Sequence, residues 1–160
     1  MKKLAVLCLC VLFTLTANSQ CDTMILGKWK VISVKTSELY FNLKTDSSFI
    51  ESDAIKNYPD TNRQMIIELN KMSWGNIRFE FKKGNQLTMQ FMEGVVDDNM
   101  KFCFNDNKKL ISITSKNSLG EDKTDDWSAY MKEGQLHMTI QFDPEDDESK
   151  IQFVFERYEN

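Results

Sequence analysis

The chain has 160 residues, 20 basic and 24 acidic side chains, a single histidine and four cysteines. A net charge of −4 makes nucleic acid and anionic membrane surfaces poor partners. Length and a 41 % apolar content suit one domain with a core of its own.

Met1-Lys2-Lys3 opens the chain, an apolar run follows from Leu4 to about Ala17, and the sequence then turns polar. A basic start, a short apolar stretch and small residues at Ala17 and Ser19 predict a secretory signal peptide over 1–19, cleaved after Ser19. The stretch is shorter than the ~20 residues a spanning helix needs. The domain is then 20–160, exported to the periplasm or secreted, with no transmembrane segment after signal removal. A lipid anchor on Cys21 is the alternative, although Gln20 stands where such signals place a small residue. Losing Lys2 and Lys3 moves the net charge to −6. Cys21 and Cys103 remain. Secretion permits a disulfide, but their separate places along the barrel wall favour two independent thiols, with a bridge as the alternative.

Eight strand-like runs follow, beginning at Gly27–Lys35 and Ile77–Lys82. Phe79 and Phe81 alternate with polar neighbours, as on a half-buried strand. Leu87, Met89 and Phe91 repeat the pattern. So do Met100, Phe102 and Phe104; Lys109–Ser115 is rich in β-branched residues with no clear face, and Trp127, Ala129 and Met131 resume the alternation. Leu136, Met138, Ile140 and Phe142 come next, and Ile151, Phe153 and Phe155 end the series. The connections alternate between tight (Lys83-Gly84-Asn85, Asp106–Lys108, Glu133-Gly134) and long (Glu93–Asn99, Lys116–Asp125, Asp143–Ser149). In an up-and-down sheet successive connections fall at opposite ends, so the long loops gather at one end and the tight turns at the other. The expected fold is all-β, an eight-stranded antiparallel up-and-down barrel with a closed base and an elaborated rim. Between strands 1 and 2, Asp46–Met72 reads as a helical insert. Ser48–Glu51 and Thr61–Gln64 fit capping boxes, Pro59 separates them, and Met65, Ile66, Leu69 and Met72 repeat at helical spacing. This insert serves either as a lid or as ordinary packing against the outer wall.

Leu26-Gly27-Lys28-Trp29 resembles the Gly-x-Trp opening of lipocalins, and the chain is similar to exported bacterial lipocalin-like proteins. The resemblance implies that Trp29 packs in the barrel base with Arg157, near the end of the last strand, lying across it. Both are then structural. A helical insert after the first strand is instead a feature of fatty-acid-binding proteins, but their Arg-x-Tyr carboxylate clamp is not matched. Arg157 and Tyr158 are adjacent and so face opposite ways.

His137 sits on the polar parity of its strand, and one histidine with two cysteines supplies no zinc site. No nucleophile elbow or phosphate loop is present, so no enzyme activity, catalytic residue, metal or cofactor is expected. Glu93, Asp97 and Asp98, then Glu121, Asp122, Asp125 and Asp126, then Asp143 and Glu145–Glu148 give an acidic mouth. Lys82, Lys83, Lys108, Lys109 and Lys132 give a basic foot. Asp143–Glu148 reads as a solvated turn rather than a calcium loop.

The leading expectation is a carrier for a small apolar ligand, neutral or cationic because the mouth repels anions. Candidate lining residues are Phe79, Phe91, Met100, Phe102, Trp127, Ile140 and Phe153. A filled barrel is the competing picture, since eight strands enclose little space. The alternative function is a ligand-free module that binds a protein through its acidic rim.

Overall fold

A computed structural model describes residues 21–92, 95–143 and 145–159, without the side chains of Thr61, Met92 and Val95. The expected signal peptide and Glu93 lie outside the described residues. Ten strands run β1 (Gly27–Lys35), β2 (Leu39–Asn42), β3 (Ser47–Ile50), β4 (Arg78–Lys82), β5 (Gln86–Met92) and β6 (Val95–Asn105). They continue with β7 (Leu110–Lys116), β8 (Asp122–Lys132), β9 (Gln135–Gln141) and β10 (Lys150–Arg157). Among the described residues there is one α-helix, α1, spanning Asp60–Trp74.

β4 to β10 pair in sequence order, and β1 joins β4 to β10, which closes an eight-stranded antiparallel barrel. The closing register sets Trp29 opposite Arg157, Val31 opposite Phe155 and Val34 opposite Phe153, with an irregularity between Val31 and Ser33. On its other edge β1 changes partner. Gly27–Lys30 pair with β4, whereas Ser33–Lys35 pair with β2. The β2–β3 hairpin therefore continues the wall above the point where β4 ends.

At the base the turns are tight. Glu133 and Gly134 both have positive φ, 52° and 77°, as a two-residue hairpin between right-twisted strands requires. Residues 21–26 lie across the base. Asp22 N–H donates to the Phe104 carbonyl at 2.7 Å, Asp106 N–H donates to Asp22 Oδ2 at 2.8 Å, and Ile25 is fully buried. Cys21 and Cys103 are joined by a disulfide, with Cα atoms 5.0 Å apart. That corrects the expectation of independent thiols. The terminal segment doubles back over the base instead of extending away, so it meets β6 directly. The same bond leaves the Cys21 sulfur no valence for a lipid thioether.

Three further expectations are corrected. Ser48–Glu51 does not start a helix. Phe49 stacks on Tyr40 at 5.0 Å across the β2–β3 pair, and cross-strand packing overrides a capping pattern. The helix also begins earlier than the Thr61–Gln64 pattern expects: Pro59 occupies the N-cap, without a side-chain bond. Arg63 pins the first turn instead, through an ion pair to Asp60 and a hydrogen bond to the Tyr58 carbonyl at 3.1 Å. The expected loops Glu93–Asn99 and Lys116–Asp125 are largely strand. β6 already begins at Val95, and only Asn117–Glu121 separate β7 from β8. Cross-strand contacts of polar side chains hold that second hairpin, with Thr114 against Thr124 at 2.8 Å and Ser112 donating to Asp126 at 2.6 Å. Strands that are polar on both faces lack the alternation by which a sequence reveals them.

Candidate functional site

The two ends of the barrel do different work. At the base Trp29 is fully buried and its indole N–H donates to the Ile25 carbonyl at 2.7 Å. The Arg157 guanidinium lies 4.8 Å from the Trp29 ring. It also donates to the carbonyls of Leu26 at 2.8 Å and Met24 at 2.5 Å. Arg157 thus straps the terminal segment onto the base, which commits it to structure. Gly27 leaves room for it: a Cβ there would approach the guanidinium to 3.3 Å, and φ is +123°. Side chains rarely adopt that conformation.

The mouth is covered by α1. Its inward face carries Ile67, 8 % exposed, and Trp74, which packs against the core. These residues are seven apart and share a face. The sequence pattern favours the opposite face, yet Met65, Leu69 and Met72 are 54–69 % exposed. Lys71 is tucked on the covered side, with its ammonium 2.8 Å from Asp46 and 3.2 Å from Glu68. These bonds raise the Lys71 pKa and lower that of Asp46, so the tie of helix to hairpin stays charged.

Trp74 begins a column of rings. It meets Phe153 at 5.8 Å, and Phe153 meets Phe155 at 5.9 Å. Phe155 stacks on Phe79 at 4.8 Å, Phe79 meets Phe81 at 6.0 Å, and Phe81 meets Phe102 edge-on at 4.8 Å. Phe79, Met100, Phe102, Ile140 and Phe153, expected to line a ligand space, are all buried in this single core cluster. Trp127 packs partly buried against it. Of the expected lining only Phe91 departs, being 40 % exposed at the end of β5.

Phe91 lines an apolar cleft of about 330 Å³ at the mouth, together with Ser73, Trp74, Ile77 and Phe142. Phe142 follows the last residue of β9 and is 66 % exposed. Among the described residues no charged side chain lines the cleft. Its apolar walls can take a nonpolar body, and the Ser73 hydroxyl donates to the Leu69 carbonyl at 2.9 Å. Nearby Arg78 donates to the carbonyls of Gly75 at 2.7 Å and Ile77 at 2.8 Å. It braces the chain leaving α1.

The cleft residues other than Phe91 were not legible as a set. Trp74 and Ile77 lie just beyond the expected helix, and Phe142 reads as one more inward residue of its strand. The available signal was the Ile67–Trp74 spacing.

Of the expected mouth carboxylates, Glu121 and the Asp143–Glu148 group lie between strands, whereas Asp97 and Asp98 lie within β6 and Asp122, Asp125 and Asp126 within β8; lysines pair with several of them. Lys116 pairs with Asp122 at 2.5 Å, Lys123 with Asp125 at 3.0 Å and Lys150 with Asp147 at 2.6 Å. The hydrogen bond from Lys116 lowers the Asp122 pKa, and that from Lys150 lowers the Asp147 pKa. The Asp143–Ser149 segment is held by its own bonds. Glu145 N–H donates to Asp143 Oδ1, and Glu148 N–H donates to Asp146 Oδ1. Among the described residues, no group of three or more His, Cys, Asp or Glu side chains is placed to hold a metal ion. His137 is half-buried on the outer wall, stacked on Tyr130 at 4.9 Å; burial, aided by Lys132, lowers its pKa. Among the described residues no helix is long and apolar enough to cross a membrane. Set against protein-family models, curated proteins and solved structures, the chain has no match.

Proposed function

We propose that this is an exported, non-enzymatic lipocalin-like binding protein that holds a small apolar ligand in the cleft at the barrel mouth. The supporting observation is the cleft itself: about 330 Å³ with aromatic and aliphatic walls, in the range where small-molecule pockets begin, ~300 Å³. Burial of Phe79, Met100, Phe102, Ile140 and Phe153 in one core cluster supports a site above Trp74 rather than deep in the barrel. Export is supported by the Cys21–Cys103 bond, because disulfides persist in oxidising compartments.

Charge selects among ligands. Arg157 is spent at the base and Arg78 on backbone carbonyls, so among the described residues no cation in the cleft lining meets a ligand carboxylate. Asp143 and Glu145 follow Phe142 closely in the chain. A neutral or cationic head group is therefore preferred over an anionic one. The test is displacement of an environment-sensitive fluorescent probe by alkyl compounds that share one hydrocarbon body and differ in head group. The alcohol and the quaternary ammonium should compete better than the carboxylate, and a carboxylate that binds tightest overturns the charge argument.

A second reading, a ligand-free module docking a protein through its acidic rim, draws support from the exposed Met65, Leu69 and Met72 on the outer face of α1. It becomes the better one if no member of the series binds.

A further inference from the structure

We infer that Trp74 is the residue that sets ligand size, a stopper separating the mouth cleft from the barrel interior. The inference rests on the proposed mouth site and adds its selectivity device. One side of Trp74 lines the cleft, while its ring meets Phe153, 2 % exposed, at the top of the aromatic column. Among the described residues no other ring of the cleft meets that column, and Ile77, 2 % exposed in the same core cluster, forms the rest of the floor. With Ile77, Trp74 is thus the partition between the space a ligand can reach and the filled core.

The stopper is held from its own side. The Trp74 indole N–H donates to Asn70 Oδ1 at 3.2 Å, one turn back on α1, so its orientation does not depend on a barrel hydrogen bond. The chain beyond it is fixed as well. Gly75 N–H donates to the Lys71 carbonyl at 2.8 Å and Ile77 N–H to the Trp74 carbonyl at 3.2 Å. Arg78 grips the Gly75 and Ile77 carbonyls. A side chain anchored within its own helix and braced behind keeps its place when the cleft fills.

Truncating the indole should extend the cleft downward. Such a deletion leaves a space on the order of 100–150 Å³, and apolar voids of that size stay dry and accept hydrocarbon. A methylene fills about as much room as a water molecule, roughly 30 Å³. The enlarged site therefore admits about four more methylenes, each tightening binding about fourfold where it finds room.

The experiment measures binding of n-alkyltrimethylammonium ions of stepwise increasing chain length, below their micelle concentrations, to the full chain. Wild type, Trp74→Ala, Trp74→Phe and Phe142→Ala are compared. For the wild type, affinity should rise with length and then level off. Trp74→Ala should level off about four carbons later, Trp74→Phe in between. Phe142→Ala, on an exposed wall of the same cleft, should weaken all members evenly without moving the plateau. An unchanged plateau in both Trp74 variants overturns the stopper while leaving the mouth site standing. If Trp74→Ala does not fold, Trp74→Phe alone decides, by whether its plateau moves. If the wild type binds no member and the variants bind the long ones, the mouth site fails and the stopper stands. If nothing binds any variant, both fail.

Discussion

Arg157 carries more than the stacking contact by which its pairing with Trp29 is anticipated. The guanidinium is exposed, so its attraction to the indole belongs at the solvated end of the cation–π range, ~0.5–1 kcal/mol. Two carbonyls of the terminal segment add charge-assisted hydrogen bonds. Arg157→Ala should lower stability by about 1–3 kcal/mol, read as a shift in urea midpoint. Arg157→Lys should recover little, because an ammonium cannot lie flat on the ring while reaching both carbonyls. Equal midpoints for wild type and Arg157→Ala would remove the strap.

At the scale of elements, α1 shows what helical periodicity conveys and what it does not. The run Met65, Ile66, Leu69, Met72 marks a helix and marks it correctly, but it names the wrong face. Side-chain size decides the outcome: an indole that both plugs the mouth and contacts Phe153 buries more surface than two methionines on a shallow wall. The end of the helix is equally constrained. A Cβ on Gly75 would stand 2.4 Å from the Lys71 carbonyl and 3.1 Å from Leu43 Cδ1. Gly75→Ala should therefore shift the helix end against the β2–β3 hairpin and cost about 1–3 kcal/mol by overpacking. Thermal unfolding reads this directly, and a midpoint equal to wild type would mean that the contact relaxes without loss. The hairpin itself escapes sequence reading. Its four-residue strands are too short for alternation to register, and their stability comes from pairing with β1.

For the molecule as a whole, the β1–β10 ladder closes the barrel and the Cys21–Cys103 bond fastens the base segment to it. The disulfide links residues 82 apart in sequence and holds the base segment against β6. A cross-link closing so long a loop is worth about 4 kcal/mol in the chain-entropy account. Reduction, or Cys103→Ser, should cost about 2–4 kcal/mol in chemical denaturation while the barrel still forms around its core. A midpoint insensitive to reductant would deny the bond its role.

The sequence alone determined the eight strands of the barrel, their order and the sorting of tight turns to the base; the Trp29–Arg157 pair was what the resemblance implied. The first three are written in residues close in sequence: alternation with period two and turn residues between runs. What only the tertiary structure decided are relations between distant residues. The double-back of residues 21–26 joined Cys21 to Cys103, and most of the expected lining came together in one buried cluster. The swing of α1 over the mouth placed Trp74 beside Phe91 and Phe142. No local pattern encodes these meetings. They follow from filling one volume at close packing, where each large side chain takes the space its neighbours leave.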